Sequence, residues 1–187
     1  TDGRQRAAER RRLLRELGLR EEPQPGQMLP RSLMSYTTKL EPGDRSLSPE
    51  EAWRISGLSR REFHALGELA LTVNRIITER AAAAGFEHYD GKIEALWDRG
   101  LVVCDVVGTF DENRFAFRGA QISKEVIRQW YNRHQPEFAA ACEQWKKTGA
   151  GWQKRCTVKP RRLPKEFATL VAQMYMAGAN RYTGRRL

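Results

Sequence analysis

Between residues 90 and 128 the chain strings acids and bases together in an order suited to handling phosphate-bearing anions. Asp90-Gly91-Lys92-Ile93-Glu94 comes first, then Asp105, then Asp111-Glu112-Asn113-Arg114, and finally Lys124 and Arg128. Basic side chains hold phosphate or carboxylate oxygens, and the arginine fork does so bidentately. Acidic ones orient an ammonium group or accept its proton. Ordinary salt bridges would account for each residue singly, but their bracketing of one short stretch favours a shared use.

Within that stretch Lys92 and Glu94 are two residues apart, so on a strand both point to one face. Residues 89–97 and 101–107 read as two strands joined by Asp98-Arg99-Gly100. A two-residue turn sets Glu94 directly opposite Asp105; a three-residue loop sets the two diagonally. In both cases two carboxylates share a small patch of sheet, which is unfavourable unless a cation joins them. Hard oxygen ligands with positions left open for phosphate oxygens suit magnesium. The plainer reading gives each carboxylate Lys92, Arg99 or solvent. Among the histidines, His64 sits on a helix, His134 near a helix end, and His88 is close enough to Asp90 to line the same site. The chain has no Gly-rich phosphate loop, nucleophile elbow or Cys-x-x-Cys pair.

The elements that must position these residues are well punctuated. Residues 4–20 read as a basic helix with Leu13, Leu14 and Leu17 on one face, frayed at Gly18. Pro23, Pro25, Gly26 and Pro30 mark a connection, residues 36–41 have strand composition, and Pro42-Gly43-Asp44 marks a turn. Ser48-Pro49-Glu50-Glu51 opens a short helix ending near Gly57. Ser59-Arg60-Arg61-Glu62 opens a longer one, with Phe63, Leu66, Leu69, Val73, Ile76 and Ile77 as its apolar stripe and Gly85 as its stop. Residues 108–120 read as a loop leading to Ser123, the cap of a helix carrying Val126, Ile127, Trp130 and Tyr131. A helix around 137–146 follows, then a basic loop. A last helix starts at Pro164 with Phe167, Leu170, Val171, Met174 and Tyr175 on one stripe. This mixture predicts an α+β fold in which the hairpin of 89–107 packs on the helices that start near Ser59 and Pro164.

Composition sets the outer limits. With 187 residues, 40% hydrophobic and 30% charged, the chain can build a packed core. No apolar run approaches the roughly 20 residues of a membrane span, and no signal-peptide pattern is present. Cys104, Cys142 and Cys156 are sparse and odd in number, which fits a reducing compartment and predicts a cytoplasmic protein. The net charge of +10 is uneven. Residues 146–187 carry eleven Lys and Arg against Glu166 alone, and residues 1–20 carry seven Arg against Asp2, Glu9 and Glu16. A basic tail beside an acidic middle suits a phosphorylated small substrate or a nucleic acid, or is simply solvated. Trp145, Trp152 and Tyr182 lack the spacing of a nucleic-acid module, so nucleic acid is not the expected partner.

Taken in order, Asp90-Gly-Lys-Ile-Glu94, Val103-Cys-Asp105-Val-Val-Gly-Thr109, Asp111-Glu-Asn-Arg114 and Ser123-Lys-Glu-Val-Ile-Arg128 resemble the consecutive motifs of the SAICAR synthase family, in its archaeal or divergent form. Thr38 to Arg45, Val73-Asn74, Leu163 to Phe167 and Met174 to Asn180 also fit, so the likeness covers about residues 30–182. It implies a carboxy-terminal catalytic domain over 30–187 after a basic helix and linker over 1–29. It implies an ATP-dependent ligase of purine biosynthesis that phosphorylates the carboxylate of an aminoimidazole ribonucleotide, then joins it to the amine of L-aspartate, with ATP and Mg2+ as cofactors. By resemblance, Glu94 and Asp105 hold the metal, and Lys92 contacts the nucleotide and the reacting groups. Asp90 and Lys124 join Lys92 as catalytic candidates, and Arg114, Asp111, Arg128 and Lys39 line the substrate side, with Asp44 near Lys39. The family's amino-terminal lobe, with its Gly-rich loop over ATP, has no counterpart in these residues. Together with a start at Thr1 rather than Met, this predicts a fragment or processed product, inactive alone, whose partners are the small substrates, the missing lobe and further copies of itself. Two other readings are a related ligase for another azole nucleotide and a non-catalytic nucleotide- or nucleic-acid-binding module. A basic-surface binder would not need paired acids on a hairpin and would lose affinity steeply with salt.

Overall fold

A computed structural model describes residues 3–24, 26–39, 41, 44–149 and 151–186. The chain forms two compact units, residues 1–35 and 36–187. In the first, helix α1 (Gly3–Leu17) ends at Gly18, whose φ of 71° only glycine adopts freely. Leu19 N–H then reaches back to the Leu14 carbonyl at 2.8 Å, closing the last turn.

The second unit is α+β, as the sequence predicts. A two-stranded ribbon pairs β1 (Tyr36–Thr37) with β2 (Ser46–Leu47); the Pro42-Gly43 turn expected between them lies outside the described residues. Helix α2 (Pro49–Ser56) begins at Ser48, whose side chain accepts from Glu51 N–H, and stops at Gly57. Helix α3 (Arg60–Ala83) begins with a full capping box between Ser59 and Glu62. Its end carries paired bonds from Gly85 N–H to Ala82 O and from Phe86 N–H to Ala81 O, at 2.9 and 2.8 Å, which turn the chain into the first strand.

From there the sheet differs from the expected hairpin. Residues 89–97 are not one strand. β3 (Glu87–Gly91) pairs with β6 (Asn113–Phe117), and β4 (Glu94–Trp97) belongs to a separate ribbon with β5 (Leu101–Cys104). The segment read as a loop therefore contains β6, the central strand of a three-stranded sheet ordered β3-β6-β7, with β7 being Ala120–Gln121. Arg118 and Gly119, both at positive φ, form the two-residue turn between β6 and β7. The second expected strand also stops early: Asp105 takes a φ of 74°, and pairing ends at Cys104. Helices α4 (Glu125–His134), α5 (Pro136–Lys146), α6 (Trp152–Arg155) and α7 (Lys165–Thr183) complete the unit. Among the described residues no helix is long and apolar enough to cross a membrane.

The core explains which elements meet. Ile77, Ala81 and Ala84 from α3 and its end join Phe86, Phe110 and Phe115, and Tyr175 and Tyr182 of α7 pack against them. Phe110 meets Phe115 and Tyr175 edge to face at 5.5 and 5.6 Å. The sheet that covers α3 and α7 is thus β3–β6, and the β4–β5 ribbon leaves Leu96 and Trp97 at least half exposed. Ile76 and Leu170, expected in the buried stripes, are 54% and 61% exposed. The true stripes run through Ile77, Ala81 and Ala84 and through Val171, Tyr175, Gly178 and Tyr182, so the residue before each start lies about 100° round the helix.

Gly178 is where α7 lets Phe110 in, because a Cβ there would overlap the aromatic ring. Gly178→Ala should lower unfolding stability by about 1–2 kcal/mol: overpacking costs roughly 1–3 kcal/mol, offset in part by alanine's better helix propensity. Urea unfolding decides it, and a protein as stable as the parent would mean that α7 does not seat on Phe110.

Candidate functional site

The nominated residues gather where the chain crosses from the three-stranded sheet to the β4–β5 ribbon. Lys92 N–H still bonds the Glu112 carbonyl at 2.9 Å, extending the β3–β6 ladder by one step. Ile93 makes the crossing, and Glu94 opens β4. The loop 98–100 has three residues, and Glu94 pairs with Cys104 rather than Asp105. Asp105 sits one residue beyond, in the left-handed conformation that Asp and Asn tolerate best, its Oδ1 accepting from Val106 N–H at 2.8 Å. The two acids are therefore offset.

Glu94 finds lysines. Its side chain is 15% exposed and takes Lys92 Nζ at 2.9 Å on one oxygen and Lys39 Nζ on the other. Lys39 arrives from the loop after β1, which is tied down by Arg45: its N–H donates to Thr38 Oγ1, and its guanidinium bonds Glu41 and Glu51. One carboxylate with two ammonium groups is a preassembled holder for an anion and its counter-cation.

On the neighbouring strands Asp90 faces Arg114 directly, and the guanidinium clasps both carboxylate oxygens, with Nε to Oδ1 at 2.8 Å. That bond holds the Arg114 pKa above its usual value. Farther along, Lys124 meets Glu112 at 3.4 Å and Arg128 meets Glu125 at 2.5 Å. The cap of α4 is Lys124 and not Ser123 as expected; the fully buried Ser123, one residue earlier, accepts from Glu125 N–H. Asp111 turns the other way and accepts the Tyr175 hydroxyl at 3.0 Å. Burial first, and then this carboxylate, raise the Tyr175 pKa, so the hydroxyl stays a donor.

Each nominated cation is thus already matched to a carboxylate: Lys39 and Lys92 to Glu94, Arg114 to Asp90, Lys124 to Glu112, Arg128 to Glu125. All five are about half exposed, where an ion pair is worth roughly 0–1 kcal/mol and opens cheaply for a stronger anion. Sequence reasoning missed Tyr175 as a partner of Asp111, since it read only as a core position. It also missed Glu112 and Glu125 as the mates of Lys124 and Arg128. The first lies twelve residues away and needs the fold, whereas the second is an i,i+3 helix pair that its spacing could have shown.

Do these residues suit a nucleotide-borne magnesium? The described residues hold no group of three or more His, Cys, Asp and Glu able to bind a metal alone. Magnesium in nucleotide sites takes one or two carboxylates and fills its other positions with phosphate oxygens and water. Glu94 and Asp105 with flanking lysines fit that pattern.

A family profile described as SAICAR synthetase matches residues 8–145. The chain belongs to the SAICAR synthetase family. The match starts within α1 and takes in every nominated site residue. An Archaeoglobus fulgidus protein named "Putative phosphoribosylaminoimidazole-succinocarboxamide synthase" is 43% identical over 163 residues, covering 86% of this chain and 48% of that protein. A Thermoplasma acidophilum phosphoribosylaminoimidazole-succinocarboxamide synthase is 36% identical over 125 residues, 62% of this chain and 42% of that one. The chain spans about half the length of the curated relatives it matches. Among solved structures, the Saccharomyces cerevisiae SAICAR synthase complexed with SAICAR superposes with a TM-score of 0.56 at 21% identity, over 77% of this chain and 45% of that one. At that identity the likeness is one of fold.

The Glu94 cluster sets a test of its own. Glu94→Gln leaves two lysines facing each other and should lower metal-free stability by about 1 kcal/mol, less at high salt. Asp105→Asn should be neutral, whereas Asp105→Ala should cost about 1 kcal/mol, because alanine tolerates the left-handed backbone poorly. Denaturant midpoints of the three variants at low and high salt check this; a Glu94→Gln protein matching the parent at low salt would show that the carboxylate does not hold the lysines.

Proposed function

We propose that this chain carries the substrate-facing half of an ATP-dependent amide ligase, which joins the carboxylate of an aminoimidazole ribonucleotide to the amine of L-aspartate and releases ADP and phosphate. The observation that carries the reading is the belt of five carboxylate-matched cations, all inside the segment that matches the family. Such a reaction brings together a triphosphate, a substrate phosphate and two carboxylate-bearing reactants, and so needs several cationic holders on one surface.

In this reading Lys92 leaves Glu94 to take phosphate oxygens of ATP, Lys39 leaves it for the substrate side, and Glu94 and Asp105 turn to the metal. Bound magnesium would neutralise charge building on the transferring phosphoryl group. Arg114 takes the phosphate of the imidazole nucleotide in the fork that Asp90 now occupies, and Asp90 then becomes free to orient an ammonium group. Lys124 and Arg128, at the start of α4, serve the aspartate side. Asp111 lines the substrate region with its direction fixed by Tyr175. Glu94→Gln and Asp105→Asn should each weaken binding of the magnesium–nucleotide pair. In this reading the enzyme works in the cytoplasm.

The test is turnover by the complete gene product. ATP should be consumed only when the nucleotide carboxylate and aspartate are both present. Arg114→Ala should raise the KM for the nucleotide substrate at least tenfold, a loss of about 1.4 kcal/mol or more, with the KM for ATP little changed. Lys124→Ala and Arg128→Ala should fall on the aspartate step, and the 187-residue chain alone should show no turnover. Steady ATP consumption without aspartate would reject the ligase reading; an unchanged nucleotide KM in Arg114→Ala would reject that residue's role.

A further inference from the structure

One buried ionisable group takes no part in the scheme above. His88 on β3 is 7% exposed, and its ring lies where α3, β3 and β6 meet. Nδ1 lies 2.8 Å from the Thr78 hydroxyl and Nε2 lies 3.0 Å from Asn113 Oδ1. Asn113 Nδ2 donates to the Thr109 carbonyl at 3.3 Å, which turns Oδ1 toward the histidine. The network therefore has Nε2–H donating to Asn113, and in the neutral ring that burial favours Nδ1 accepts from Thr78. Burial lowers the His88 pKa and outweighs the bonds from Asn113 and the Asp90 main chain.

The location of this ring matters because of strand alternation. His88 points inward, so on a regular strand Asp90 would point inward too. The β3–β6 register slips between His88 and Asp90: His88 pairs with Phe115, yet Asp90 pairs with Arg114. That bulge turns Asp90 outward, beside the one outward side chain of β6 that can clasp it. A bulge forfeits ladder bonds, and the histidine adds side-chain bonds across the sheet beside it. Its ring also lies 5.0 Å from Phe115, its partner across the ladder. Asn113, 3% exposed, fills the space above Gly91, where any Cβ would overlap its Oδ1.

We propose that His88 is a positioning residue: bonded to Asn113 across the sheet, it fixes the bulge at Tyr89 and so delivers Asp90 to Arg114. The role in catalysis rests on the assignment of Arg114 given above; the structural coupling does not.

The test needs no substrate. In the 187-residue chain, the Arg114 Nε–Hε cross-peak in a nitrogen-15 NMR spectrum reports the clasp, and Asp90→Asn marks its unpaired position. His88→Leu should move the cross-peak to that unpaired position and remove its exchange protection. His88→Gln, which keeps an N–H for Asn113, should hold it near the parent position. Gly91→Ala, a surface change that pushes Asn113 off the histidine, should move the peak the same way as His88→Leu, and it serves if His88→Leu fails to fold. A folded His88→Leu or Gly91→Ala protein with the parent cross-peak overturns the proposal, as does a His88→Gln protein that loses it. These outcomes stand whichever reaction the complete gene product performs.

Discussion

A single strand has to serve two environments, and most of this fold follows from that. β6 sends Asn113 and Phe115 into the interior, each at most 3% exposed, and sends Arg114 out. The inward set defines the core, because Phe115 is the ring against which Phe86, Phe110 and Tyr182 are arranged. The outward set defines the site, because Arg114 and the segment just before it hold Asp90, Lys124 and Tyr175 in place. Displacing the strand by one residue would exchange the two sets, burying a guanidinium and exposing a phenylalanine. Its neighbours guard against the slip: the Arg118-Gly119 turn fixes one end, and the double bond of Asn113 to Thr109, through main chain and side chain, fixes the other.

The charges obey a second economy. Isolated lysines and arginines crowded around one crossing strand would repel one another, and the unliganded fold would weaken. Pairing each with a nearby acid removes that penalty while keeping the ion pairs exposed enough to exchange. Glu94, its side chain mostly shielded like those of Glu112 and Glu125, differs in holding two lysines. A shielded carboxylate that lost both cations at once would be costly, so departure of the lysines toward phosphate favours arrival of another cation at the same oxygens. On the proposed function, coupled exchange of this kind would make anion and metal binding mutually reinforcing.

The helices were legible in the sequence because their ends are written in local chemistry. Ser48-Pro49, Ser59 with Glu62, Gly57 and Gly85 each act within four residues, and each does in the structure what its type implies. The candidate site residues could be nominated as a group for a similar reason, since they stand in short motifs. The sheet was not. Asp90 to Glu94 alternates like one strand, yet a bulge at Tyr89 and a crossing at Ile93 split it between two sheets, and neither leaves a mark in composition. β6 hid because Asn113-Arg114-Phe115-Ala116-Phe117 is short and follows a turn-like Asp-Glu-Asn. Most of its ladder is with β3, whose residues lie more than twenty positions upstream. Long-range pairing is set by the whole sheet's packing, not by local preference.

Charge shows the same limit from the other side. The cations after residue 145 read from sequence as a basic surface suited to an anion or simply solvated, yet several of them bond groups of the chain itself. Arg155 bonds the Thr148 carbonyl, Lys159 bonds that of Gln153, and Arg161 pairs with Glu137. Arg181 of α7 donates to Ala84 O at the end of α3, where carbonyls lack helical partners and the helix dipole favours a cation. In return Arg80 of α3 donates to Tyr182 O near the end of α7. Two long helices thus close each other's carboxy-terminal ends, and this holds Tyr175 at the height where it meets Asp111. The tail contributes to the site through geometry: its arginines fasten α7, and α7 aims one carboxylate of a motif more than sixty residues upstream.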